Sequence, residues 1–392
     1  MAGSREIDVW RRGGIGGGVA ADGSSLQRCV MSRYDHGGDV FGTARRSGVD
    51  PEKLLDFSAS INPLGISAAV RSALLAAVDR LVHYPEPFAA PLREILASCH
   101  GVAPEQILPA NGSTELIYLL PRYVRGKRAL IVAPAFSEYA KALTVAGWEV
   151  RYHLLSPDDG FCLVLDALQE SIEQGCDLLF LCNPGNPTGR LYSREEMLAV
   201  ARICRAAGVF LVLDEAFMDF CGEEASLVPE LAASGNGVVL RSLTKFHAIP
   251  GLRLGYAVAS AAVCERLAEL RGPWSVNALA QAAGAAAVGD IAYRDATREF
   301  VAAERQNLRQ QLSEICGLLP FSGAANYLLV KLDAGRSVND LCDKLLVRYG
   351  IIVRDCSSFV GLEGGYFRVA VRTSQENRLL VKSLRELLPG RQ

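Results

Sequence analysis

The sequence predicts an α/β chain, with a mostly parallel central sheet in a large domain and a smaller α+β domain beside it. Three observations carry this. Between about residue 106 and residue 270, short apolar-rich runs recur, each the length of one strand. Amphipathic stretches such as Ser193 to Ala207 separate most of them, and parallel strands need such crossovers. Beyond residue 316 the rhythm changes to further strand-like runs at Asn326 to Val330, Gly350 to Arg354 and Tyr366 to Arg372.

Residues 1–34 are rich in glycine, and Gly14-Ile-Gly-Gly-Gly-Val19 imitates part of a dinucleotide fingerprint. No strand pattern precedes it and no helical pattern follows, so the segment reads as a flexible extension. Segment 35–80 holds the turn Asn62-Pro-Leu-Gly65 and a helix over Ser67 to Val82, and is assigned to the small domain. The large domain, 81–275, opens with the loop His83-Tyr-Pro85 and a helix near Pro91 to Cys99. Its strands are expected at Ala129 to Val132, Glu149 to Leu154, Leu178 to Cys182, Val209 to Leu213, Val238 to Leu243 and Leu254 to Val258. A long helical region from Ser275 to Cys316 leads into the C-terminal part of the small domain, 276–392.

With 392 residues, half of them hydrophobic, the chain can bury a large core and fits two to three domains. Lys plus Arg (41) nearly balance Asp plus Glu (43), which argues against a nucleic-acid partner. The five histidines are scattered and form no metal-binding pattern. Eleven cysteines, an odd number without a C-x-x-C pair, point to reduced thiols and a cytosolic setting. No apolar run approaches the roughly 18 residues of a membrane span, and no signal-peptide core is seen near residue 1, so a soluble cytoplasmic protein is expected.

The chemistry concentrates in Leu240-Arg-Ser-Leu-Thr-Lys-Phe-His-Ala-Ile-Pro-Gly-Leu-Arg-Leu-Gly-Tyr256. This reads as a strand stopping at Lys245, a Pro250-Gly251 turn, and a second strand from Leu252. An amine there can condense with an aldehyde cofactor, while Ser242, Thr244 and Arg253 suit a phosphate on the same molecule. Taken alone, a lysine after a strand is usually a solvated loop charge. Three partners make the set specific. Val209-Phe-Leu-Val-Leu-Asp214 is a buried strand ending in an acid, and Asp214 there can keep a pyridine nitrogen protonated. Asn183-Pro-Gly-Asn-Pro-Thr-Gly189 is a rigid turn from which Asn186 can offer its amide to a phenolic oxygen. Gly112, Ser113 and Thr114 begin a helical run through Leu116 to Tyr123, and free N–H groups at such a start bind a phosphate.

These features, in this order, resemble the fold-type I pyridoxal-phosphate (PLP) enzymes of the class I and II aminotransferase superfamily, from about His36 to the C-terminus. The segments Asp35-His-Gly-Gly38, Leu55-Asp-Phe-Ser-Ala-Ser-Ile-Asn-Pro-Leu-Gly65, Asp214-Glu-Ala-Phe-Met-Asp-Phe220 and Pro273-Trp-Ser-Val-Asn277 are similar to its cobalamin-pathway branch, which decarboxylates O-phospho-L-threonine. The resemblance implies PLP as cofactor, with Lys245 and Asp214 catalytic. It places Gly112, Ser113, Thr114, Asn186, Ser242, Thr244 and Arg253 around the cofactor and Phe136 stacked on its ring. Tyr84 is implied to reach the cofactor phosphate of a second subunit, hence a homodimer. Arg368 is implied to hold the substrate carboxylate and Arg354 its phosphate, with His36, Gly37 and Asn62 completing the substrate pocket. The expected reaction yields (R)-1-aminopropan-2-yl phosphate; transamination of histidinol phosphate or a similar phosphorylated amine is the alternative. Many aminotransferases carry a tyrosine three residues after the strand-end aspartate, and Phe217 stands there here. A DNA-binding regulator built on the same domain finds no attached DNA-binding module in the N-terminal stretch.

Overall fold

Leu178-Leu-Phe-Leu-Cys182 has no charged side chain on either face, and such a run is stable only in a sheet covered on both sides. The computed structural model describes residues 36–389. The chain falls into two units, residues 1–36 and 37–392. Only His36 of the first is described, so the expected flexible extension, 1–34, lies outside the described residues.

Among the described residues, thirteen strands form three sheets. They are β1 (Leu55–Asp56), β2 (Ile107–Ala110), β3 (Arg128–Ala133), β4 (Glu149–Leu154), β5 (Leu178–Cys182), β6 (Phe210–Asp214), β7 (Gly237–Ser242), β8 (Gly255–Val258), β9 (Leu318–Pro320), β10 (Tyr327–Leu332), β11 (Ile351–Ile352), β12 (Arg354–Asp355) and β13 (Tyr366–Ala370). The large sheet has the order β2-β8-β7-β6-β5-β3-β4, and only β8 runs against the other strands. Side chains alternate between two cores. Leu179, Leu181, Leu211, Leu213 and Val239 enter one, while Leu178, Phe180, Phe210, Val212, Val238 and Leu240 enter the other. A four-stranded antiparallel sheet, β12-β13-β10-β9, packs its own apolar cluster against Leu308, Leu312, Leu380 and Leu384. The short β1 pairs in parallel with β11, joining residues 55–56 to 351–352.

The mostly parallel α/β reading therefore stands, with local differences. Beyond the two-residue β1, two strands, β2 and β9, are absent from the sequence reading. Both contain proline, which speaks against a central strand, and both lie at a sheet edge, where the missing N–H is tolerated. The helical region 275–316 is two helices, Ala278–Gly289 and Ile291–Ser313, because Asp290 caps the second by accepting from the Tyr293 N–H. The expected strand Gly350 to Arg354 divides at Val353 between two sheets. The second strand of the lysine segment starts at Gly255 rather than near Leu252, since Pro250–Leu252 forms a 3-10 turn.

Candidate active site

The parallel strands end on one edge of the large sheet, where ligands of open α/β sheets bind. Asp214 is the last residue of β6, and its side chain follows Phe210 and Val212 on one face. It is 4% exposed. The Tyr139 hydroxyl donates to Asp214 Oδ2 at 2.5 Å and the Ala216 N–H to Oδ1 at 2.9 Å. Burial pushes the Asp214 carboxyl above its ordinary range, while the Tyr139 bond and the Lys245 charge pull the other way.

Lys245 lies one turn past β7, in the single-turn helix Leu243–Phe246, rather than at the strand end itself. Its Nζ donates to Ser242 Oγ at 3.1 Å and lies 5.4 Å above the centre of the Phe217 ring. Ser242 Oγ and Thr244 Oγ1 share a hydrogen bond of 2.7 Å. Burial lowers the lysine pKa, Arg253 and Arg368 lower it further, and Asp214 opposes them. Asp214 and Lys245 thus each feel the other's charge, from neighbouring strands of one sheet.

Gly112 precedes the helix Ser113–Tyr123 with φ +76°, and a Cβ there would stand 2.9 Å from the Arg253 guanidinium. Gly255, at the start of β8, backs onto the same helix: its Cβ would come within 2.4 Å of the Ser113 nitrogen. The arginine, the helix start and the β7 hydroxyls are brought together by these close approaches. Asn186 leaves the turn after β5, and its carbonyl oxygen accepts from Arg368 Nη1. Arg368 Nη2 donates to the Ser58 carbonyl at 2.9 Å, and the guanidinium lies 5.0 Å over the Tyr327 ring. The Gly38 N–H donates to Ser58 Oγ at 2.9 Å, so the Gly37-Gly38 strip is laid against the same residue. Arg354 is opposite Arg368 in the β12–β13 register, placing two guanidinium-bearing side chains on one face. Arg354 Nη2 also donates to Ser358 Oγ at 3.0 Å. Phe136 meets Tyr139 edge to face at 5.7 Å, and His36 is half-buried.

One expected contact is arranged differently. The Asn62 amide nitrogen donates toward the Phe246 carbonyl (2.8 Å), the Tyr293 hydroxyl (2.8 Å) and Thr297 Oγ1 (2.9 Å). Its backbone N–H bonds the Lys245 carbonyl at 3.0 Å, so Asn62 fixes the lysine segment and its amide is turned away from a substrate role. Tyr84 is 79% exposed and stacks on Trp274 at 4.6 Å, outside the cluster around Lys245 within one subunit. Tyr139 is absent from the sequence reading. The signal was its place three residues after Phe136, on the first turn of the helix Glu138–Val145.

The model of the family "Aminotransferase class I and II" matches residues 52–384. This chain belongs to that family. It is 42% identical over 356 residues to the threonine-phosphate decarboxylase of Salmonella typhimurium, covering 91% of this chain and 97% of the relative. Among solved structures it is similar to L-threonine-O-3-phosphate decarboxylase of Porphyromonas gingivalis (TM-score 0.76, 29% identity, 85% of this chain and 99% of that one). It is also similar to histidinol-phosphate aminotransferase of Clostridium acetobutylicum (TM-score 0.80, 26% identity, 85% and 99%). The cofactor of this aminotransferase-family chain is PLP. The buried carboxylate that feels the charge of a nearby amine, and the Arg253 guanidinium packed beside the helix start at Gly112, fit a molecule with a basic ring nitrogen, an aldehyde and a phosphate.

Proposed function

We propose that the protein is a carboxy-lyase that converts O-phospho-L-threonine to (R)-1-aminopropan-2-yl phosphate in cobalamin biosynthesis. The observation that carries this reading is the 42% identity, through nearly the whole of both chains, to a threonine-phosphate decarboxylase. The site agrees with it. Like charges directly opposite on one sheet face cost stability, so Arg354 beside Arg368 suits a ligand bearing two anionic groups. Arg368 holds the carboxylate and Arg354 the phosphate ester.

Bound PLP supplies an aldehyde for the substrate amine and a ring that accepts the electron pair left when a bond at Cα breaks. Ser242, Thr244, Arg253 and the helix start at Gly112, Ser113 and Thr114 hold its phosphate. Phe136 would cover the ring, and Asn186 would offer its amide to the phenolic oxygen. Asp214, ionised through the Tyr139 and Ala216 bonds, holds a proton on the ring nitrogen. Lys245, its ammonium form disfavoured by burial, is the amine that would hold the aldehyde and would supply the proton that Cα takes up in place of carbon dioxide.

Residues 81–275 form the cofactor domain in this reading, and 35–80 with 276–392 the smaller one; the β1–β11 pairing supports grouping the two ends. The protein acts as a homodimer in which Tyr84 reaches the partner subunit's cofactor phosphate. Support comes from the exposure of Tyr84 together with Leu75 (70%), Val82 (82%) and Phe88 (63%), an apolar surface that suits a second copy. No helix among the described residues is long and apolar enough to cross a membrane, and a cytoplasmic enzyme fits the free cysteines.

Likeness to a histidinol-phosphate aminotransferase at a TM-score of 0.80 keeps transamination as the second reading. Product analysis separates them. The PLP-loaded enzyme is incubated separately with phosphothreonine, phosphoserine and histidinol phosphate. Carbon dioxide and an aminopropanol phosphate from phosphothreonine, without any 2-oxoglutarate, are expected. Conversion of PLP to its pyridoxamine form by histidinol phosphate would overturn the assignment.

A further inference from the structure

Arg241 is the largest fully buried side chain among the described residues, and the chemistry above does not use it. It lies on β7 between Leu240 and Ser242, so it points to the face opposite Ser242. Its Nε stands 3.0 Å from Glu215 Oε2, and Nη1 donates to Asp219 at 2.9 Å. Nη2 bonds Glu223 and, at 3.3 Å, Ser226 Oγ. Glu215 is itself fully buried and accepts from Ser226 Oγ (2.7 Å) and the Leu227 N–H (3.0 Å). The charges facing this cluster are completed by Arg298, whose Nε bonds the Asp219 carbonyl at 2.8 Å, and by the His100–Tyr256 pair at 2.7 Å.

The placement is what matters. Glu215 directly follows Asp214, and Arg241 directly precedes Ser242, whose hydroxyl bonds the Lys245 amine. Strands β6 and β7 are neighbours, with Asp214 in register with Leu240 and the Glu215 N–H bonded to the Leu240 carbonyl at 2.8 Å. One ion pair therefore clamps, from behind, the end of β6, which carries Asp214, and the end of β7, which leads into the turn of Lys245. A buried ion pair is a poor source of stability, because desolvation consumes its attraction, but it admits few geometries.

We propose that Arg241 and Glu215 are positioning residues that set the separation of Asp214 from Lys245. The inference rests on the reading of those two residues as the cofactor pair. The test uses PLP-loaded enzyme carrying Glu215→Gln, which keeps the shape and removes the charge. Two readouts are followed: the pH midpoint of the visible absorbance of lysine-bound cofactor, and kcat against KM. The midpoint is expected to move by about half a unit or more, since the two site charges would no longer be held at one distance. kcat is expected to fall by roughly 10- to 100-fold with KM nearly unchanged, the signature of misplacement rather than lost binding. Arg241→Lys retains the charge without the fork and should not restore either value.

If Glu215→Gln does not fold, Ser226→Ala, which removes one bond from each partner, is judged by the same readouts with smaller changes in the same direction. A folded variant with an unmoved midpoint and kcat within about twofold of the parent would overturn the proposal. The titration needs only PLP, so a parent enzyme that released no carbon dioxide would sink the substrate assignment without touching this result.

Discussion

Replacing Tyr139 with Phe keeps the ring that stacks on Phe180 at 4.8 Å and deletes one atom, the hydroxyl that donates to Asp214 Oδ2 at 2.5 Å. A hydrogen bond to a charged group contributes about 1.5–3 kcal/mol, and a pKa unit corresponds to about 1.4 kcal/mol. The Asp214 carboxyl, already pushed up by burial, should therefore rise by a further 1–2 units or so in the variant. The sign follows from which form is favoured. The lost bond stabilised the carboxylate, so the variant protonates Asp214 at higher pH and then no longer holds a proton on the cofactor nitrogen. The acidic limb of kcat/KM against pH should move upward by about 1 unit or more, while the alkaline limb stays in place. The assay is a pH profile of carbon dioxide release for parent and variant at saturating PLP. An acidic limb that moves by less than about 0.3 unit would refute the coupling of Tyr139 to Asp214.

Three further outcomes are expected. Lys245→Ala should abolish the visible absorbance of lysine-bound PLP and reduce turnover by about a thousandfold or more; full activity in that variant would overturn the site assignment. Gly255→Ala forces a Cβ to within 2.4 Å of the Ser113 nitrogen, and should lower stability by roughly 1–3 kcal/mol and weaken PLP binding, read by thermal unfolding and by cofactor titration. Burial holds the Glu215 carboxyl at about 7 against an ordinary 4.5, outweighing the pull of Arg241. The native state then binds the proton more tightly than the unfolded chain, so this group's contribution to stability declines as pH rises from about 4.5 to about 7. Denaturant unfolding of Glu215→Gln at pH 5, 6 and 7 should show a flatter slope with pH than the parent.

Much of the fold was legible because strands such as β5 and β6 are apolar on both faces and stop at or beside a polar residue. Leu178 to Cys182 appears at its predicted limits, and the run ending in Asp214 is displaced by a single residue at its start. The two proline-bearing edge strands were not legible: Pro109 and Pro320 are signals against a strand, and only the sheet's outline makes them acceptable. Within the site, Arg368 interrupts an otherwise apolar strand, and Lys245, Asp214 and Asn186 stand at or just past strand ends that local pattern already marks. Tyr139, Arg241 and Glu215 do not. Their partners lie on other segments, and nothing in the local pattern announces a hydroxyl or guanidinium aimed across strands. Asn62 illustrates the reverse difficulty, since an asparagine beside a Pro-Leu-Gly turn looks available until the hydroxyls of Tyr293 and Thr297 are seen to claim it.

The absent side chain at Gly255 has a consequence for how the protein takes up its cofactor. Because β8 abuts the start of the helix that follows Gly112, the oxyanion cradle is assembled by the fold itself rather than by whatever enters it. A guest arriving there meets amide groups already aligned and need not meet the entropic cost of ordering a loop, so saturation should need little free PLP. The same rigidity should leave residues 110–115 little changed when PLP binds.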